Sequence, residues 1–261
     1  MSETEKYTSQ NRLAWDEIAE VRQQKMETAE FFANGGSTLS SDVLAAAGDV
    51  HGLRLCHLQC ATGEDTLSWA NQGADAAGVD ISPKEIELAK QKAAAAGLPV
   101  RFISSDLYAL PSSLFAEKFD IVFTGGGAIV WLPDLKEWAR IIFELLQPGG
   151  RLILDEEHPL ASCMEIQDGL VRIVDDYFGR KPEIYMGWSH FSGGENAVEK
   201  KYEFTWPLGD IVTALAQAGL RIEFLQEKPS QEGWRFGDKL NEVARIPGEY
   251  LLVARKDRKE G

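Results

Sequence analysis

Basic residues are scarce in this sequence. Lys and Arg total 27 against 41 Asp and Glu, so 27 − 41 gives a formal net charge of −14. A phosphate backbone is held by clustered Lys and Arg, and no stretch reaches that density, so nucleic acid is not expected as a direct partner. Cysteine is sparse too. Cys56, Cys60 and Cys163 are an odd number of thiols, read as reduced and not as a disulfide framework. Cys56 and Cys60 flank His57 within an apolar strand and the turn after it, where the i, i+4 pairing of a helical metal site is unavailable, so no metal is expected. No uncharged apolar run approaches the roughly 18–20 residues that a membrane helix needs. The opening MSETEKYTSQ lacks the basic-then-apolar order of a secretory signal. The expectation is a cytoplasmic protein with no membrane partner.

What is present suits one large α/β domain: 261 residues, 44% hydrophobic and 26% charged. The first fifty residues read as helices, one over positions 9–33 and a shorter one, SSDVLAAAG, ending at Gly48. Strand and helix then alternate. LRLCHL (53–58), ADAAGVD (74–80), VRFISSD (100–106), KFDIVFTGGG (118–127) and RLILDEE (151–157) read as strands. Helices fall between them, one opened by Ser82-Pro83-Lys84-Glu85 as a capping box and one running from Pro133 to Leu146. Residues 159–206, rich in aromatics and Gly, interrupt the pattern as an insertion over the sheet. A helix, PLGDIVTALAQAG, and strands at 220–227 and 249–256 close the chain. This order predicts a doubly wound sheet of seven strands, mostly parallel, with one antiparallel strand near an edge.

In an open parallel sheet the ligand lies beyond the carboxyl ends of the strands. Those ends carry Gln59-Cys60-Ala61-Thr62-Gly63 after the first strand, Asp80 after the second, Asp106 after the third and Thr124-Gly125-Gly126-Gly127 after the fourth. Asp80 is placed to accept from a ribose diol and Asp106 from an exocyclic adenine amine; small residues let a ligand lie against backbone. The set suits a nucleoside without phosphates. A dinucleotide would need Gly-x-Gly-x-x-Gly in the first turn, which holds only Gly63, and no Walker lysine is present.

LRLCHLQCATGEDTLSWANQGADAAGVDISPKEIELAKQKAAAAG resembles the cofactor-binding segment of class I S-adenosylmethionine-dependent methyltransferases. FISSDLYALP, FDIVFTGGGAIVWLPDLKEWARII and LLQPGGRLIL follow in the family's order. NRLAWDEIAE is similar to the lead-in helix of small-molecule members. The likeness covers residues 10–160 and the closing helix and strands. It departs at His57, where the family has an acid, and at Gln59 and Ala61, which replace two glycines.

The resemblance implies a Rossmann-like fold, with residues 1–50 as a helical lid and 159–206 as a cap over the acceptor. It implies S-adenosyl-L-methionine as cofactor and methyl transfer to a small molecule by in-line displacement. Asp80 with Ile81 would take the ribose, and Asp106 with the Leu107 backbone the adenine. Gln59, Cys60, Ala61 and Gly63 would approach from the first turn, and Thr124, Gly125 and Gly126 near the methionine end. Trp15 and Trp131 would wall the methyl group. His158, beside the expected acceptor position, is either a general base or a structural histidine held by Asp155, Glu156 and Glu157. The bland assignments are a buried His57 bonded to backbone, Trp138 in the core, Glu64 and Asp65 at a helix N-terminus, and His51 and His190 on the surface. An RNA or protein acceptor, or nucleotide binding without methyl transfer, stays open as an alternative.

Overall fold

The computed structural model describes residues 1–179, 181–188, 191, 193–230 and 233–258. His190, expected at the surface, lies outside the described residues. Three N-terminal helices, α1 (Glu3–Gln23), α2 (Ala29–Ala33) and α3 (Ser41–Ala47), precede the alternating part. That part runs β1 (Arg54–Leu58), α4 (Glu64–Asn71), β2 (Asp75–Asp80), α5 (Pro83–Ala96), β3 (Arg101–Ser104), α6 (Ser112–Glu117), β4 (Phe119–Gly125), α7 (Leu135–Leu145) and β5 (Leu146–Glu157). A one-turn helix α8 (Pro159–Ser162) leads into the insertion, whose antiparallel hairpins pair β6 (Met164–Gln167) with β7 (Leu170–Ile173) and β8 (Glu183–Met186) with β9 (Lys200–Glu203). The chain closes through α9 (Leu208–Gln217), β10 (Leu220–Lys228) and β11 (Glu249–Lys256).

The main sheet has seven strands in the order β10-β11-β5-β4-β1-β2-β3. β3, β2, β1, β4 and β5 pair in parallel, and β11 is antiparallel to both β5 and β10. The expected topology is therefore the observed one. The order reverses between β1 and β4, so their carboxyl ends diverge into the crevice where ligands bind in such sheets.

Both faces are covered because alternate strand residues are apolar on each side. On one face Leu58, Val122, Leu154 and Leu252 pack beneath α7 and α9. On the other, Leu55, Phe123, Ile153 and Leu251 pack against Trp69 and the α3 residues Val43 and Ala47. α7 buries Leu135, Trp138, Ala139, Ile142 and Leu145 at spacings of three and four, starting from an Asp134 cap that accepts from Glu137 N–H at 2.9 Å. Trp138 is core, as expected; each fully buried side chain of this kind contributes roughly 1.5–3 kcal/mol.

Three local expectations need correction. The helix foreseen over 9–33 is two: α1 starts at a Ser2–Glu5 capping box, and Thr28 caps a separate α2 by accepting from Phe31 N–H. At Ser82 only half of the capping box forms. Ser82 Oγ accepts from Glu85 N–H at 3.1 Å with Pro83 in the first turn, but the Glu85 carboxylate turns inward to Arg22. The fifth strand begins at Leu146 and not 151, because Leu146 already pairs with Phe119 of β4; the register then shifts, with Gly149 at φ +87°, before Arg151 pairs with Ile121.

Candidate active site

One cavity of about 350 Å³ lies over the carboxyl ends of β1, β2, β3 and β4, roofed by α1. Its floor is the turn after β1. Gln59, Ala61 and Gly63 all take left-handed backbone, at φ 58°, 46° and 83°. This costs a side chain-bearing residue roughly 1–2 kcal/mol. The turn is held by Cys60 N–H donating to the Val79 carbonyl at 3.0 Å and Ala61 N–H donating to Asp80 Oδ2 at 2.8 Å. Gly63 sits behind the wall: a Cβ there would lie 2.6 Å from the Phe102 ring and 3.2 Å from Ala89, so glycine is needed for packing.

Asp80 and Asp106 both line the cavity. Asp80 Oδ1 accepts from Ser82 N–H at 2.9 Å, and burial pushes its carboxyl upward against these backbone bonds. Asp106 Oδ1 accepts from Tyr108 N–H at 2.9 Å, and its Oδ2 accepts from the Thr8 hydroxyl at 2.5 Å. Each carboxylate keeps acceptor capacity beyond these bonds.

The roof comes from one face of α1: Thr8, Asn11, Trp15 and Arg22 recur at helical spacing. Asp16 ties this helix down by accepting from the Ser82 hydroxyl at 2.6 Å. Arg22 donates to Thr62 Oγ1 at 2.8 Å and meets the buried Glu85 at 3.4 Å. Sequence reasoning did not assign Arg22, Thr8 or Asn11 to the site; their common helical face was the signal that held them.

The far wall is the loop after β4, with Gly125, Gly126, Gly127, Ala128, Trp131 and Leu132 lining the cavity. Gly125 passes so close to β5 that a Cβ would lie 2.5 Å from the Asp155 carbonyl. Gly126 N–H donates to that carbonyl at 3.0 Å. Gln59 Nε2 donates to the Ala128 carbonyl at 2.8 Å, while its Oε1 has no hydrogen-bond partner among the described residues. Trp15 and Trp131 meet edge to face at 5.2 Å, and Trp188 of the insertion packs on both, at 4.7 and 5.7 Å.

The cavity therefore brings together Trp15, Gln59, Cys60, Ala61, Asp80, Ile81, Asp106, Leu107, Gly125, Gly126 and Trp131. Thr124 and Gly63 do not line it; Thr124 is fully buried. His57 lines the cavity but bonds to the Thr66 hydroxyl at 2.8 Å and not to backbone, and burial pushes its imidazole down to about 3, so it stays neutral. His158 needs a larger correction. It is 4% exposed and outside the cavity lining. Its Nδ1 accepts from Leu160 N–H at 3.1 Å as the cap of α8, and its Nε2 meets Glu227 at 3.0 Å. Both ring nitrogens are spoken for by structure, and its partner is an acid of β10 instead of the neighbours on its own strand.

The cavity lining holds Arg22 and Lys25 against Glu27, Glu64, Asp65, Asp80 and Asp106, a formal 2 − 5 = −3. It therefore favours a ligand with positive charge. Among the described residues no cluster of His, Cys, Asp and Glu could hold a metal ion, and no helix is long and apolar enough to cross a membrane.

Residues 56–150 match the family model of the methyltransferase domain. A demethylmenaquinone methyltransferase of Thermus thermophilus is 34% identical over 108 residues, 41% of this chain and 48% of that protein. A ubiquinone biosynthesis O-methyltransferase of Cereibacter sphaeroides is 31% identical over 125 residues, 47% of this chain and 49% of that one. The chain spans about half to three-fifths of the length of the curated relatives it matches. Among solved structures, an S-adenosylmethionine-dependent methyltransferase from Mesorhizobium loti superposes with a TM-score of 0.61 at 23% identity, covering 82% of this chain and 95% of that chain. The [4+2]-cyclase SpnF gives a TM-score of 0.62 at 16% identity, covering 97% and 96%. At these identities the likeness concerns the fold.

Proposed function

We propose, from the methyltransferase domain matched at residues 56–150, that the chain is a class I S-adenosylmethionine-dependent methyltransferase and transfers a methyl group from S-adenosyl-L-methionine to a small-molecule acceptor by in-line displacement. The observation that carries this reading is that Asp80 and Asp106, at the ends of neighbouring strands, open onto one acidic cavity that also holds Arg22.

The residues present fit that cofactor. Asp80 accepts the ribose diol with the lone pairs that Ala61 and Ser82 leave free, beside Ile81. Asp106 would accept from the adenine amine, with the backbone of Leu107 as its neighbour in the lining. Cys60 and Ala61 approach through backbone, and Gly125 and Gly126 flank the methionine end. Arg22 and Lys25 answer its carboxylate, and the orphaned Gln59 Oε1 offers an acceptor to its ammonium. Trp15 and Trp131 present aromatic walls to a cationic sulfur. When bound, the cofactor supplies a methyl group on sulfonium, an electrophile that asks no covalent help from the protein.

What the chain contributes is placement: the acceptor atom must lie roughly 3–3.5 Å from the methyl carbon, in line, with water excluded. In this reading α1 is the lid and residues 159–206 are the acceptor cap. The lid and cap are joined at Asn11 and Tyr202, and the cap meets the far wall where Phe204 N–H donates to the Val130 carbonyl at 2.7 Å. A small acceptor is supported by the chain's likeness to the demethylmenaquinone and ubiquinone biosynthesis methyltransferases named above and by a net charge of −14 that disfavours nucleic acid. A cytoplasmic setting agrees with three free, buried thiols.

Titration calorimetry with S-adenosylhomocysteine and with NAD tests the cofactor. Binding of the first and not of the second is expected; the reverse overturns the reading. A screen of phenols, carboxylic acids, amines and thiols with labelled cofactor then tests transfer. A protein that binds the cofactor yet methylates none of them, as the cyclase of the same fold would caution, points to other chemistry on this scaffold.

A further inference from the structure

Glu156 is a buried acid outside the cavity lining that no step above uses. It stands near the end of β5, 4% exposed, and its carboxylate accepts from three successive backbone donors: Gly127 N–H at 2.9 Å, Ala128 N–H at 2.7 Å and Ile129 N–H at 3.2 Å. Gly126 and Gly127, at φ 71° and 83°, turn these N–H groups to one side, forming a small anion-binding concavity that the chain fills with its own carboxylate. The same loop supplies the far wall of the cavity through Gly125 to Ala128 and Trp131.

We propose that Glu156 is a positioning residue: its ionised carboxylate holds residues 125–131 in the form that completes the cofactor cavity, and protonation slackens that hold. The proposal rests on the cofactor reading above. Charge-assisted bonds to backbone N–H are about twice as strong as neutral ones, and a protonated acid has one oxygen turned donor, so it cannot serve three N–H groups equally. Burial pushes Glu156 up to about 7, which brings this change within the physiological range.

The ionisable groups around it are few. Asp155 on its own strand is the charge nearest in effect, and it faces Lys228 at 3.9 Å. Across the register on β11 stands Tyr250, fully buried, with Tyr177 of the insertion beside it and Glu249 one residue away. Glu157, the last residue of β5, pairs with Arg235, and His158, the cap of α8, with Glu227. Residues 125–131 carry no titratable side chain. Asp155, pushed up to about 6, is the neighbour whose titration comes nearest to that of Glu156.

Hydrogen exchange of the full chain, corrected for intrinsic rate, reads the loop without any ligand. In Glu156→Gln at pH 8, the amides of 126–129 should exchange roughly tenfold faster while the β1 and β4 amides keep the parent rates. The parent at pH 6 should approach the variant. Glu156→Asp, which keeps the charge one methylene short, should lie between them, and Asp155→Asn should keep the parent's pH response. In parallel, S-adenosylhomocysteine affinity by calorimetry should fall on acidification in the parent, and be three- to tenfold weaker and flat with pH in Glu156→Gln. Equal loop exchange in parent and Glu156→Gln overturns the proposal, as does faster exchange with unchanged affinity. If the parent binds no S-adenosylhomocysteine at pH 8, the cofactor reading fails, and the exchange rates still decide whether Glu156 holds the loop.

Discussion

Asn11 of α1 and Tyr202 of β9 pair as two strands would. Asn11 Nδ2 donates to the Tyr202 carbonyl at 2.9 Å, and Tyr202 N–H donates to Asn11 Oδ1 at 2.7 Å. A helix side chain thus closes the free edge of the insertion's hairpin, and Glu17, further along the same helix, accepts from Val198 and Glu199 N–H. The roof of the cavity and the insertion are one hydrogen-bonded unit.

Asn11→Ala leaves a backbone donor and acceptor without partners in a region where Asn11 itself is 3% exposed. A stability loss of about 1–3 kcal/mol is expected in urea titration, with earlier proteolysis of residues 159–206. An unchanged midpoint with unchanged cleavage would show that the pair contributes nothing.

Removing the Asp80 carboxylate takes away the acceptor proposed for the ribose and the partner of Ala61 N–H. Asp80→Ala should weaken S-adenosylhomocysteine binding by about 1.5–3 kcal/mol. Parent-like affinity measured by calorimetry would sink the assignment.

The β1 turn predicts opposite signs for two similar changes. Ala61 bears a side chain at φ 46°, so Ala61→Gly should raise stability by about 0.5–1 kcal/mol. Gly63→Ala must fit a methyl 2.6 Å from Phe102 at φ 83° and should lose roughly 1–3 kcal/mol. Thermal denaturation of both variants decides; a shared sign contradicts the turn geometry.

Glu85 is pushed up to about 8, first by burial and against the pull of Arg22. An acid whose folded value exceeds its unfolded value of 4.5 binds its proton more tightly when folded. Its contribution is full below pH 4.5 and is lost as the pH rises towards 8. Stability should therefore decline across that window, and Glu85→Gln should flatten the decline in a plot of Tm against pH. A slope as steep in the variant as in the parent would assign the effect elsewhere.

His158→Ala should leave cofactor affinity and turnover within about threefold of the parent, because neither ring nitrogen faces the cavity. Stability should fall by about 0.5–2 kcal/mol with loss of the α8 cap. A drop of a hundredfold or more in turnover with stability intact would restore a base at this position.

Strand and helix alternation is written locally, in apolar periodicity and in breakers such as Gly48 and Gly97. The seven-stranded sheet and its carboxyl-end loops were therefore legible from order alone. Asp80 and Asp106 were legible for the same reason: a residue at a strand end inherits its place from the sheet. The side-chain partners were not, because they come from elements distant in sequence. Arg22 reaches Thr62 and Glu85, Thr8 reaches Asp106 and Asn11 reaches Tyr202 across 40 to 191 positions, and no local pattern encodes such meetings. His158 and Glu156 show the limit most sharply. They lie two apart near the end of β5, and sequence chemistry left the imidazole either a base or a structural group. The sheet and the loop after β4 set their partners: the backbone N–H groups of 127–129 converge on Glu156, while Glu227 of β10, the edge strand beyond β11, takes the imidazole. Residue type states what a group is able to do, and only packing determines which partner's distance and desolvation it meets.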